Sequence, residues 1–270
     1  MKPEPRNQTT TTADVYSRIT ERIIADLAQG VRPWLKPWSA QESGHLITRP
    51  LRYNGAPYKG VNVLLLWGAA TDKGFSSPFW MTYKQAQELG GQVRKGETGT
   101  LVVYANRFTK TETNEEGEDI EREIPFLKGY TVFNTDQIDG LPERFQSVPL
   151  PSPAPELLHQ AAESFFASTG ASFRHGGNRA FYTTAGDFIQ MPPPQAFKDP
   201  ESYAAIKAHE LIHWTGHSSR MAREFGKRFG DNAYAFEELV AELGAAFLCA
   251  DLQLTPEPLS QLCEASNPSR

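Results

Sequence analysis

From Asp14 onward apolar residues recur every fourth position, at Val15, Ile19, Ile23 and Leu27, which predicts an amphipathic helix closed by Gly30 and Pro33. Residues 1–12, ending in four threonines, read as a disordered tail. The prolines in Arg32-Pro33-Trp34-Leu35-Lys36-Pro37-Trp38 predict an extended segment carrying two tryptophans beside two cations. Asn54-Gly55 marks a tight turn, and Asn62 to Thr71 reads as a buried helix. Phe79 to Thr82 follows as a short strand, then Tyr83 to Leu89 as a helix ended by Gly90-Gly91. Thr100 to Phe108 and Pro125 to Asn134 read as two strands flanking a polar tip.

Pro149, Pro151, Pro153 and Pro155 then interrupt any helix or central strand. They place a linker at 148–155 between a domain at 13–147 and another at 156–270. In the second domain the pattern predicts a helix from Glu156 to Ser168 and a strand from Ala171 to His175. A Gly176-Gly177 turn and one strand from Arg179 to Met191 follow, then, after Pro192-Pro193-Pro194, helices at Ser202 to His217 and Asn232 to Asp251. The fold class is α+β throughout: an α+β first domain and a mostly helical second domain with a small sheet.

Composition narrows the function. The longest apolar run, Val61 to Ala70, is broken by Asn62 and falls far short of the ~18–20 residues of a membrane span. The first fourteen residues lack the apolar core of a signal peptide, and the two cysteines, Cys249 and Cys263, do not form a secreted disulfide framework. A cytoplasmic protein without membrane partners is expected. The net charge of −5 hides an asymmetry. Residues 1–150 hold 18 basic and 18 acidic groups, but seven of those acids fall between Glu112 and Glu123, a stretch that reads as a solvated hairpin tip. Without it the first half is about +6, whereas the second half is −5; contact with nucleic acid is therefore expected from the first half.

The sharpest chemical signal is His209-Glu210-Leu211-Ile212-His213. Histidines at i and i+4 share a helical face and reach one ion, while Glu210 on the adjoining flank is free to act as general base. A tetrahedral catalytic site needs one more protein ligand and leaves a fourth position for water. The metzincin continuation fails, because Ser219 stands where its third histidine belongs. The last helix offers Glu238 as third ligand and Glu242 as the acceptor that orients a ligand histidine, with Glu237 replacing Glu238 if the helix is rotated. Zinc is the expected ion and manganese the alternative. His217 and Tyr234 are candidates for stabilising an oxyanion, and the stretch from Tyr182 to Met191 for an edge strand that pairs with a peptide. The competing structural reading is a pair of amphipathic helices with incidental carboxylates. It must meet a cost of several kcal/mol for each unpaired buried charge.

In the first half, Trp34, Trp38 and Tyr53 are interleaved with Arg32, Lys36, Lys59, Arg94 and Lys95. Rings on which bases stack, set among cations that neutralise phosphates, make these the candidate DNA contacts. Many rings in this half have an ordinary place in the core instead, Trp67 above all.

The two halves together resemble the plasmid-encoded ArdC antirestriction family over nearly the whole chain. The first half is similar to its single-stranded-DNA-binding domain at Trp34 through Trp38, Tyr53-Asn54-Gly55, Tyr58 through Asn62, Trp80 through Tyr83, Val93 through Glu97 and Tyr130 through Asn134. The second resembles its zincin-like metallopeptidase domain at Asp187 to Pro192, His209 to His217 and Glu237 to Glu242. The resemblance implies a protein of mobile elements that shields incoming plasmid DNA from host restriction. Its expected partners are single-stranded DNA, duplex DNA, and a restriction enzyme or other protein substrate. The alternatives are a zinc peptidase recruited by DNA to cut a DNA-bound protein, and a binding module whose metal only staples two helices.

Overall fold

A computed structural model describes residues 12–28, 49–113, 119–145, 155–225 and 232–254. The chain divides into two units, the first built from residues up to 33 and from 50 to 147, the second from 34 to 49 and from 148 on. Among the described residues no helix is long and apolar enough to cross a membrane.

In the first unit, helix α1 (Thr12–Ala28) buries Ile19 and ties Arg22 to Asp72. Strand β1 (Leu51–Arg52) lies parallel to β2 (Phe79–Met81), and between them runs α2 (Val61–Lys73). After α3 (Tyr83–Glu88), held by a Thr82/Gln85 capping box, come β3 (Gln92–Val93), the long pair β4 (Thr100–Thr113) and β5 (Asp119–Asn134), and β6 (Ile138–Asp139). The main sheet has the order β1-β2-β5-β4. Its β4 edge is covered by α2, whose Asn62 side chain donates to the Val103 carbonyl and accepts from the Val103 N–H, each at 2.8 Å. That amide stands in for a missing strand and satisfies both backbone groups.

Trp67, Trp80 and Tyr58 are buried in this unit, so these rings belong to the core. The tip differs from expectation. Pairing continues to Thr113↔Asp119, so Glu121 and Glu123 are strand residues and only residues 114–118, outside the described set, remain for a tip. The extra length comes from β-branched Thr109, Thr111 and Ile120, which favour a pleated surface over a loop.

The second unit comprises α4 (Pro155–Ser168), β7 (Ser172–His175), β8 (Phe181–Thr183), β9 (Phe188–Met191), α5 (Pro200–Thr215) and α6 (Asn232–Asp251). The expected single strand from Arg179 to Met191 is a hairpin, turned at Asp187, which takes a left-handed φ of 47°. Sheet order is β7-β9-β8, so β9 lies in the middle and, of the hairpin, only Phe181–Thr183 lies at an edge. Asp199 accepts from the Ser202 N–H at 2.6 Å with Pro200 as first helical residue, which starts α5 two residues before the expected Ser202. Phe166, Ile189, Met191, Ala205, Ala208 and Ala245 form its core. Gly244 lets α6 approach α5 closely, because a Cβ there would lie 2.8 Å from Ile212 Cγ1. Arg49 also belongs to this unit, ion-paired to Asp251 and lying over the Phe247 ring.

Candidate metal centre

Helix α5 is buried for most of its length, so the one-turn spacing of His209 and His213 directs both rings into the α5–α6 interface. Their Nε2 atoms stand 3.1 Å apart. From α6, Glu238 brings one carboxylate oxygen within 3.5 Å of His209 Nε2 and the other within 3.6 Å of His213 Nε2. One ligand atom from each of these three residues lies within 4.8 Å of the others, a donor set able to hold one cation.

The surroundings fix that set. His213 Nδ1 lies 3.1 Å from Glu237 Oε1, which leaves Nε2 as the lone pair facing the site. Arg223 holds Glu237 in turn, with Nε 2.8 Å from Oε2 and Nη2 2.9 Å from Oε1, and is itself tied to the Ile212 carbonyl and Thr215. Burial pushes the Glu237 carboxyl up, but hydrogen bonds from Arg223 and His213 outweigh it and hold the group down at about 2. Burial pushes His209 down, yet its bond to Glu238 and the negative charges of Glu210, Glu238 and Glu242 keep it above the ordinary histidine value. This field favours a positive charge, and a divalent cation fits it. Glu238 is lowered despite burial by His209, His213 and a hydrogen bond from Tyr234.

Glu210 is buried beside these groups and outside the ligand set, its carboxylate accepting from the Tyr182 backbone N–H. Burial raises it above the usual carboxylate range. Tyr182 is anchored by its hydroxyl to Asp187 at 3.0 Å. Asp187 pairs with Arg220, whose guanidinium lies 3.8 Å from the Trp214 ring centre.

Sequence reasoning and structure part at two places. Glu237 orients His213 by a hydrogen bond, and Glu242 reaches His209 through its charge, while His209 Nδ1 has no partner among the described residues. The Tyr234 hydroxyl bonds Glu238, and His217 Nδ1 accepts from the Ser219 N–H at 3.2 Å, which leaves the proton on Nε2. Arg223 and Arg220 were missed, because they lie in a non-periodic segment whose only signal is two arginines following the histidine motif. His159 pairs with Glu201 and His175 with the Tyr203 hydroxyl, both away from the cluster, and His45 lies outside the described residues.

Of the candidate DNA contacts, Arg32, Trp34, Lys36 and Trp38 lie outside the described residues. Tyr53 and Lys59 are exposed near the β1 turn. Arg94 and Lys95 border an open cavity of about 570 Å³ with Tyr83, Gln92 and Phe133. Arg94 is occupied by Glu97 at 3.0 Å, Asp139 at 3.5 Å and the Asp136 carbonyl, whereas Lys95 is exposed.

Residues 13–133 match the N-terminal domain of anti-restriction factor ArdC, and residues 160–264 match the zincin-like metallopeptidase family. The metal-free crystal structure of the antirestriction ArdC protein from plasmid R388 is 46% identical and superposes with a TM-score of 0.73, covering 94% of this chain and 86% of that one. The chain belongs to the ArdC antirestriction family. An Mn(II)-bound structure of the R388 ArdC protein is 45% identical with a TM-score of 0.71, covering 93% of this chain and 85% of that one. That relative's ion supports a divalent metal for this fold, and in this chain His209, His213 and Glu238 form a donor set able to hold one. The uncharacterized protein y4eC of Sinorhizobium fredii is 40% identical over 252 residues, 92% of this chain and 80% of that protein. The DNA primase TraC of Escherichia coli is 36% identical over 263 residues, 90% of this chain but only 23% of the primase.

Proposed function

We propose that this ArdC-family chain is a DNA-binding antirestriction protein that protects incoming plasmid DNA in the recipient cytoplasm. A domain at 13–147 holds single-stranded DNA, a proline-rich linker at 148–155 follows, and a domain at 156–270 hydrolyses a peptide bond in a protein bound to that DNA. The observation that carries the hydrolytic part is the position of Glu210, buried next to His209, His213 and Glu238 yet left out of their donor set. Among the described residues the set stops at three protein donors, the number that leaves a position open for chemistry.

His209, His213 and Glu238 would hold the ion, and two imidazoles with one carboxylate suit zinc, with manganese as the alternative. When bound, it supplies Lewis acidity that polarises a carbonyl and acidifies water. The chain's own residues do the rest. Glu237 and Arg223 fix the His213 ring, and the Tyr182 N–H holds the Glu210 carboxylate. Glu210 takes the proton from the attacking water and returns it to the departing nitrogen. The β8 edge, Phe181–Thr183, whose Tyr182 N–H is held by Glu210, would set an extended peptide beside that carboxylate.

The test is plasmid establishment in a restricting host, wild type against Glu210→Gln. Loss of protection, with protein level and metal content unchanged, is the expected result. Full protection by the variant would overturn the hydrolytic part and leave DNA coverage as the mechanism.

A further inference from the structure

Strand β2 pairs with β5 only at Asn134 and Phe133, whereas β4 and β5 stay paired from Thr100↔Val132 to Thr113↔Asp119. The β4–β5 pair therefore outruns its sheet as a two-stranded ribbon. Successive residues of a strand point to opposite faces, so the register decides which side chains meet. Tyr104 faces Lys128, Asn106 faces Phe126, Phe108 faces Ile124 and Lys110 faces Arg122, all on one side. That side begins in the core at Val102 and continues outward with Tyr104 43% and Phe108 48% exposed. Glu121 and Glu123, paired with Thr111 and Thr109, fall on the opposite side, where Glu123 meets Arg107.

The ribbon thus separates what the sequence mixes. Three rings and three cations share one face over about 20 Å of strand, and Glu121 and Glu123 are turned away from it. Tyr104 and Phe108 each lean on Phe126, with ring centres 5.9 and 6.1 Å apart, so all three present an edge or face to solvent as one platform. Lys110 stands directly opposite Arg122, so two cations lie side by side toward the outer end of this face. A protein partner fits this face poorly, because lysine is depleted from the cores of protein interfaces. Duplex DNA fits it poorly too, since its bases are already stacked.

Resting on the reading that the first domain binds single-stranded DNA, we propose that this face of the ribbon is the single-strand track, with bases stacking on Tyr104, Phe108 and Phe126 and phosphates neutralised by Lys110, Arg122 and Lys128. The experiment is fluorescence anisotropy of a labelled oligothymidylate with the full chain across a salt series. Two variants at exposed positions are compared, Tyr104→Ser/Phe108→Ser and Lys110→Gln/Arg122→Gln/Lys128→Gln, each checked for an unchanged melting temperature. Stacking on a ring is worth enough for the first to bind roughly tenfold or more weakly at fixed salt with its salt slope intact. For the second, the slope of log affinity against log salt should become shallower by about 2, at roughly 0.7 for each phosphate no longer neutralised. A wild type that binds the oligonucleotide while both variants match it in affinity and slope would overturn the track and spare the parent reading. A duplex of equal length bound as tightly as the single strand, and weakened in parallel by both variants, would overturn the single-strand assignment. No salt-sensitive binding by the wild type would overturn both.

Discussion

Glu237 and Glu123 each lie against an arginine, at 2.8 Å from Arg223 and 3.0 Å from Arg107. The first pair has side chains 4% and 17% exposed, the second 63% and 70%. Near-identical bonds therefore do different work. In the ribbon, water already solvates both charges, and the pair is worth under about 1 kcal/mol. Its importance lies in which face it occupies. Between α5 and α6, each buried charge depends on the next, from Arg223 to Glu237 to His213, and the last link aims an imidazole at the cation site. Burial turns a charge into a positioning device, and exposure turns it into a sign on a surface.

The largest expected effect breaks the buried chain. Glu237→Ala strands Arg223 and releases His213, and loss of one partner of a buried pair costs about 3–5 kcal/mol. Calorimetric unfolding should show that loss, and metal affinity should fall about 10–100-fold. Glu237→Gln should recover part of the metal affinity, because an amide oxygen still accepts from His213 Nδ1. Unchanged affinity in Glu237→Ala would mean the His213 ring is fixed by packing alone.

A pH titration sharpens the comparison at intermediate exposure. Hydrogen bonds from Arg220, aided by Tyr182, hold Asp187 down at about 2. A depressed carboxylate contributes stability above its unfolded value of about 4, and that contribution is lost as pH falls through about 2. Melting curves from pH 5 to pH 2 should therefore converge for wild type and Asp187→Asn, with the gap widest at the upper end. A constant gap over that window would show that the Arg220 pair does not set the difference. The smallest effect is expected on the ribbon's acidic face, where Glu121→Gln/Glu123→Gln should leave melting unchanged and alter single-strand affinity less than about threefold, these charges being exposed and screened. A larger gain in affinity would show that the two faces are not electrostatically separate.

The same contrast explains what could be read in advance. The helices around the metal centre were legible because a spacing of four carries both helix and ligand geometry, and α6 matches its expected limits from Asn232 to Asp251. The place of Glu238 beside the two histidines was legible by the same rule. The division of labour between Glu237 and Glu242 was not, because it depends on the rotation of α6 against α5, set by the close contact at Gly244. Arg223 had no periodic signal at all. In the first unit Trp67 was readable as core, but the acidic stretch was misread as a loop, since a charge run carries no register until its partner strand is known. The hairpin inside Arg179 to Met191 was hidden for a related reason: Gly186-Asp187 marks a turn only weakly, and the left-handed Asp187 is held by Tyr182 and Arg220 rather than by local preference.

Calorimetric titration of the metal-stripped full chain with zinc, and separately with manganese, tests the centre most directly, using wild type, Glu238→Ala and Glu242→Ala. One ion per chain is expected for wild type and for Glu242→Ala, with binding by Glu238→Ala weakened at least a hundredfold. Tight binding retained by Glu238→Ala but abolished in Glu242→Ala would contradict the assignment of His209, His213 and Glu238 as the ligand set.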